Sequence, residues 1–209
     1  MPPRMKRSTG TPAELTRIFR PESWAAPLAL AALFPRSQPA VVDVGCGKGR
    51  FLAGRARRFP EFNYLGIDRM ADRLRRLDRR VSRTALPNVR LLRAEAWYAV
   101  RYLLPAASIR TVFLLFPDPW PKRRHHKHRL FGPEFMDALH RCLEPNGEFH
   151  VATDHLDYFE TIRKLMADDR RFDPAAFADL TDEERTDFEL IFLSQGKPIG
   201  RCAFRKRDG

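Results

Sequence analysis

From residue 40 onward the apolar positions of the chain keep two alternating rhythms. Short, densely apolar runs at 40–45, 63–68, 89–94, 111–116 and 148–153 predict strands, and the stretches at 51–59, 70–81, 97–104, 133–143 and 158–166 predict helices. The helix over 70–81 carries Met70, Leu74, Leu77 and Val81 on one face and, with its flanks, Arg69, Arg73, Arg76, Arg80 and Arg83 on another. Strands alternating with helices predict an α/β architecture, a mostly parallel sheet covered on both sides. Near the end the rhythm changes. Runs at 188–193 and 199–205, separated by Ser194-Gln195-Gly196-Lys197-Pro198, predict a hairpin that adds antiparallel strands at a sheet edge and brings the strand count to seven.

A chain of 209 residues with 44% apolar content fits one globular domain, expected over residues 15–209. Residues 1–14 are polar and basic and are expected to form a flexible arm. The longest apolar stretch, 24–34, is interrupted by Pro27 and too short to span a bilayer, and no charged-then-apolar leader opens the chain; a soluble cytoplasmic protein is expected. Cys46, Cys142 and Cys202 are odd in number and far apart, which fits reduced thiols rather than a disulfide framework or a zinc site.

Charge changes the picture further. The formal net charge is +12, and it is segregated: residues 1–130 hold 27 basic and 9 acidic side chains, residues 131–209 hold 11 and 17. A basic region of this size suits a polyanionic partner. The ratio of 31 Arg to 7 Lys fits bidentate phosphate recognition or GC-rich coding alike. The arginine face at 69–83 reads equally as a solvated face or as a substrate-facing one.

The chemistry concentrates at strand ends. The first predicted strand runs into Gly45-Cys46-Gly47-Lys48-Gly49 and then a helix, a loop whose backbone can approach a ligand closely. Arg50 stands where a dinucleotide fingerprint has Gly or Ala, and Val42 and Gly49 occupy positions where a P-loop needs Gly and Ser or Thr. Asp43, inside the strand before the glycines, would repel a pyrophosphate but suits the cationic sulfonium and ammonium groups of S-adenosylmethionine. The second strand ends at Asp68, suited to ribose hydroxyls, and the third at Glu95, suited to an adenine amino group. Three acids at the ends of three successive strands face the crevice where open α/β sheets bind ligands.

The fourth strand ends in Phe116-Pro117-Asp118-Pro119-Trp120-Pro121, where prolines restrict the backbone on both sides of Asp118. The turn is similar to the Asp-Pro-Pro-aromatic turn with which amino-methyltransferases orient a nucleobase. Lys122-Arg123-Arg124-His125-His126-Lys127-His128-Arg129 follows without an acid, which favours phosphate contact and disfavours a metal site.

Together these residues make the chain resemble the bacterial tRNA (guanine-N7-)-methyltransferases. The resemblance rests on Val44-Gly45-Cys46-Gly47-Lys48-Gly49, on Phe116 to Lys122 with Arg124-His125-His126-Lys127, on Ala152-Thr153-Asp154, and on Thr186-Asp187-Phe188-Glu189. It implies the Rossmann-like class I methyltransferase fold with S-adenosylmethionine as methyl donor. The implied reaction is methylation of a guanine at N7 in the variable loop of tRNA, without a metal, a membrane or an obligate protein partner, by a monomer or homodimer. Carried over by position, it implies cofactor contacts at Asp43, Gly45, Gly47, Gly49, Asp68, Glu95 and Asp118, a catalytic role for Asp118, and RNA contacts at Lys122, Asp154, Thr186, Asp187, Phe188 and Glu189. Glu95 stands where the family commonly has Asp, Asp68 where it has Glu, and Asp187 where it is often basic. Two other classes fit the same residues: a non-catalytic RNA-binding protein that keeps the fold, and a class I methyltransferase with a different acceptor.

Overall fold

The computed structural model describes residues 16–120 and 129–208, so the expected arm at 1–14, Lys122 and the basic run up to His128 lie outside the described residues. Eight strands form one sheet: β1 (Ile18–Phe19), β2 (Ala40–Val44), β3 (Asn63–Asp68), β4 (Val89–Arg93), β5 (Ile109–Leu115), β6 (Leu143–Thr153), β7 (Phe172–Ala175) and β8 (Gly200–Lys206). Their order is β1-β4-β3-β2-β5-β6-β8-β7. Every pairing among β1 to β6 is parallel, and β8 is antiparallel to both its neighbours. The helices are α1 (Leu30–Leu33), α2 (Arg50–Arg58), α3 (Ala71–Arg83), α4 (Ala96–Tyr98), α5 (Pro133–Cys142), α6 (Leu156–Asp168) and α7 (Asp187–Ser194). α4 runs on into a π turn over Ala99–Leu103, so the helix expected at 97–104 is present in wider form.

Strand alternation separates two cores. Val42, Val44, Leu65 and Ile67 pack with Val100, Leu103, Leu139 and Ile162 on one face of the sheet. Val41, Tyr64, Leu91 and Phe113 pack with Phe51, Leu52, Leu74, Leu77 and Val81 of α2 and α3 on the other. The chain moves outward from β2 to β3 and β4, then returns to place β5 on the far side of β2. That reversal opens a crevice at the carboxyl ends of β2 and β5.

Two expectations are corrected. Residues 188–193 are helix α7, not a strand, and β8 pairs instead with Phe172–Ala175, so no hairpin joins 188–193 to 199–205. The run is apolar at nearly every position, which leaves periods of 2 and 3.6 indistinguishable. Its N-cap decides the matter, since the Thr186 hydroxyl accepts the Glu189 N–H at 3.0 Å. The sheet therefore has eight strands rather than seven, with β1 and β7 added. β7 contains Pro174 and is confined to an edge, where a missing N–H faces no partner.

Candidate active site

The loop from β2 to α2 is built by glycines in the left-handed region: φ is +79° at Gly45, +56° at Gly47 and +70° at Gly49. Gly49 is doubly constrained, because a Cβ there would lie 2.2 Å from a Leu77 methyl of α3. The same loop is tied to β3 by the Gly45 and Cys46 N–H groups, which donate to the Ile67 carbonyl at 2.8 and 3.0 Å.

Asp68 then fixes both the loop and the next helix. One carboxylate oxygen accepts the Gly47 N–H at 2.9 Å, the other accepts the Met70 N–H at 2.7 Å, and the Arg73 guanidinium lies 3.9 Å away. Each oxygen keeps a further lone pair for a ligand hydroxyl. Asp43 is buried beside it, and burial first, then the charge of Asp68, pushes its carboxyl up to about 8. Glu95 caps α4 by accepting the Tyr98 N–H at 2.8 Å.

The turn after β5 forms the opposite wall. Phe116 and Trp120 take positive φ values of 53° and 44°, an unusual backbone for aromatic residues that prolines hold between them. The Phe116 N–H donates to the Ala152 carbonyl of β6 at 2.7 Å, and Arg129 Nε donates to the Pro119 carbonyl at 2.9 Å while stacking 4.7 Å over the Tyr158 ring. The Asp118 carboxylate is left projecting, 74% exposed, with Arg69 at 4.0 Å. Prolines and neighbouring strands thus rigidify the backbone under a side chain that stays open to a ligand.

One cavity of about 1110 Å³ joins these pieces. Asp43, Gly45, Gly47, Gly49, Asp68, Glu95 and Asp118 line it, and so do Asp154, Thr186, Asp187 and Phe188. Glu189 does not. It is buried, and it pairs with Arg201 of β8 at 2.5 Å, which pins α7 to the sheet. Trp97, Ile191 and Phe192 also line the cavity and were not picked out as site residues from the sequence. Trp97 lies two residues beyond Glu95, a usable signal; Phe192 was hidden by the strand reading of its helix. Phe188 and Phe192 stack at 6.2 Å, Phe192 meets Phe116 at 5.6 Å, and the exposed Phe188 and Ile191 give the rim an apolar face.

Among the described residues no group of His, Cys, Asp or Glu is arranged to hold a metal ion, and no helix is long and apolar enough to cross a membrane.

Comparison with known proteins fits this geometry. Residues 37–201 match a family model described as "Putative methyltransferase". The chain is 38% identical over 186 residues to the tRNA (guanine-N(7)-)-methyltransferase of Nitrosococcus oceani, covering 86% of this chain and 77% of that one. The chain belongs to the tRNA (guanine-N7-)-methyltransferase family. A second member, from Halorhodospira halophila, is 37% identical over 85% of this chain and 79% of its own. Among solved structures, the 16S rRNA methyltransferase KamB superposes with a TM-score of 0.60 at 18% identity, over 85% of this chain and 91% of that one, a likeness of fold. The expected Rossmann-like class I methyltransferase fold is therefore the fold of this family member.

Proposed function

We propose that this chain transfers a methyl group from S-adenosylmethionine to N7 of a guanine in the variable loop of tRNA, in the cytoplasm. The observation that carries the reading is the set of carboxylates around one cavity: Asp43, Asp68 and Glu95 at the ends of three adjacent parallel strands, facing Asp118 on a rigid turn. S-adenosylmethionine, when bound, supplies an electrophilic methyl on a cationic sulfonium. The residues present suit it. Asp43 offers a buried carboxyl that becomes a counter-charge when it ionises against a cationic ligand, Asp68 presents lone pairs on a carboxylate already fixed by two backbone N–H groups, and Glu95 holds an acceptor at the mouth of α4.

On the acceptor side, Phe188 and Phe192 provide flat apolar surface for a splayed base, and Asp118 and Asp154 flank it with negative charge. Guanine N7 carries a free lone pair, so no side chain must remove a proton before attack. Alignment and charge placement supply the acceleration. The purine becomes cationic as it is alkylated, and a carboxylate lining the cavity on the acceptor side, Asp118, would stabilise that charge.

The test is incubation with labelled S-adenosylmethionine and unmodified tRNA, then nucleoside mass analysis and mapping of the modified site. A methyl group on guanine N7 in the variable loop is expected; a methyl group on any other atom would overturn the reading.

The buried Asp43 gives a pH-dependent expectation. Its carboxyl titrates near 8, so the unliganded site is largely protonated at neutral pH, whereas a cationic ligand binds the ionised form. Affinity for S-adenosylmethionine should therefore rise with pH, by up to about tenfold per unit below 8, and level off above it. Unliganded stability moves the other way. The folded state keeps a proton that the unfolded chain has released above about pH 4, so this group's contribution falls as pH rises toward 8. Asp43→Asn should flatten both slopes, read by calorimetric titration and by thermal melts across pH. Persistence of both slopes in the variant would remove Asp43 as their source.

A further inference from the structure

α3 and the residue just before it carry an arginine stripe whose first two members lie near active-site carboxylates, Arg69 at 4.0 Å from Asp118 and Arg73 at 3.9 Å from Asp68, and whose remaining members the active-site chemistry does not use. At 100° per residue, Arg73, Arg76, Arg80 and Arg83 fall within an arc of about 80° and run about 15 Å along the axis, with Arg69 just before the helix start. All five are exposed. The stripe begins at the cavity, which Arg69 and Arg73 line, and leads away from it. Arg93, exposed at the end of β4, donates Nε to the Arg69 carbonyl at 3.3 Å and adds a guanidinium at the same end.

The balance of charge separates this face from an ordinary solvated one. Solvated helix faces commonly alternate sign at i,i+4. Here the two acids of α3 are engaged elsewhere: Asp72 pairs with Arg75 at 2.7 Å, and Asp78 accepts from the Thr16 hydroxyl and the Arg17 N–H. Arg76, Arg80 and Arg83 have no ion pair among the described residues, whereas Arg55, Arg58, Arg171, Arg201, Arg205 and Arg207 all do. Arg73, Arg76, Arg80 and Arg83 repel their neighbours at i,i+3 and i,i+4, and those in the first turns oppose the helix dipole. A linear polyanion laid along the stripe relieves both.

We infer that the Arg69–Arg73–Arg76–Arg80–Arg83 stripe of α3 is a phosphate track that holds the RNA backbone leading away from the target base. The inference rests on the tRNA-methylating function proposed above. It gives α3 one face for the core, one for docking β1 and one for substrate.

The test compares two triple variants of the full chain. Arg76→Gln/Arg80→Gln/Arg83→Gln should raise the KM for tRNA by about tenfold or more and reduce the slope of log Kd against log salt by about 2 to 3, with S-adenosylmethionine affinity unchanged. Arg110→Gln/Arg163→Gln/Arg207→Gln removes the same formal charge away from the cavity and should leave KM and slope near wild type. The charge-keeping Arg76→Lys/Arg80→Lys/Arg83→Lys variant should restore most of the slope, and it reports on charge even if the glutamine variant is unstable. Equal tRNA affinity and slope in the glutamine variant and wild type would overturn the track, as would a loss matched by the control triple. Loss of binding to phosphatidylglycerol vesicles with tRNA binding intact would overturn it in favour of a lipid surface. Wild-type protein that methylates no tRNA guanine would instead overturn the function proposed above, so the two failures are distinguishable.

Discussion

Asp118→Ala is expected to lower kcat for tRNA methylation by about 10²- to 10³-fold while changing the affinity for S-adenosylmethionine only a few-fold. The asymmetry follows from position. Asp118 projects from a turn held by Pro117 and Pro119, by the Phe116 N–H on β6 and by Arg129 on the Pro119 carbonyl, so removing its carboxyl leaves that scaffold in place. The cofactor contacts proposed at Asp43, Asp68 and Glu95 are retained, since those residues lie on or just beyond other strands. In the function proposed above, what is lost is a negative charge beside a ring that becomes cationic, an interaction stronger in the transition state than in the ground state. Asp118→Asn should fall between, because the amide keeps the shape and not the charge. Single-turnover rates beside equilibrium cofactor binding read the two effects separately, and turnover at the wild-type rate in Asp118→Ala would dismiss the role.

Glu184→Ala should destabilise the protein by about 2–3 kcal/mol and raise the KM for tRNA several-fold. Glu184 is 1% exposed and accepts from Arg58 at 2.8 Å, from Arg55 at 3.3 Å and from the Thr181 N–H at 2.9 Å. Loss of a buried partner leaves a guanidinium short of its counter-charge, and the part-solvated arginines place the cost below that of a fully buried pair. Arg50 ties the same segment by donating to the Asp182 carbonyl. Thr186, Asp187 and Phe188 line the cavity immediately afterwards, so the wall they form loosens with it. Urea unfolding measures the first effect and steady-state kinetics at varied tRNA concentration the second. Glu184→Gln, which keeps an acceptor for Thr181, should lose less; wild-type stability in Glu184→Ala would contradict the clamp.

Most of the architecture was legible because each parallel strand is a short apolar run and each helix repeats at 3.6. The strand-end acids were legible for a related reason, since Asp43, Asp68 and Glu95 interrupt or close apolar runs. The C-terminal part was less so. In α7 the usual polarity is inverted: Glu189 is buried against Arg201, while Phe188, Ile191 and Leu193 are exposed. A helix that turns apolar residues toward a ligand cavity and a charge toward a sheet defeats hydrophobic periodicity, and only the Thr186 cap with its Glu189 partner marks it in the sequence. β1 and β7 are too short or too poor in β-formers to announce themselves, and both are found by pairing with strands distant in sequence. Glu189 belongs to the same motif as Thr186, Asp187 and Phe188, yet those three line the cavity while Glu189 is buried against Arg201, a difference that motif position alone does not reveal.

The place of β8 in the sheet constrains the order in which the protein is completed. It is the last strand in sequence, yet it lies inside the sheet, inserted between β6 and β7. Until residues 200–206 arrive, β6 presents an unpaired edge from Glu148 to Thr153 and β7 has no strand to join. During synthesis β2 to β5 can pair first, while β6 waits with an open, adhesive border. A chain truncated before residue 200 would therefore be prone to edge-to-edge association, which makes β8 the strand that seals β6 and β7 against neighbouring molecules.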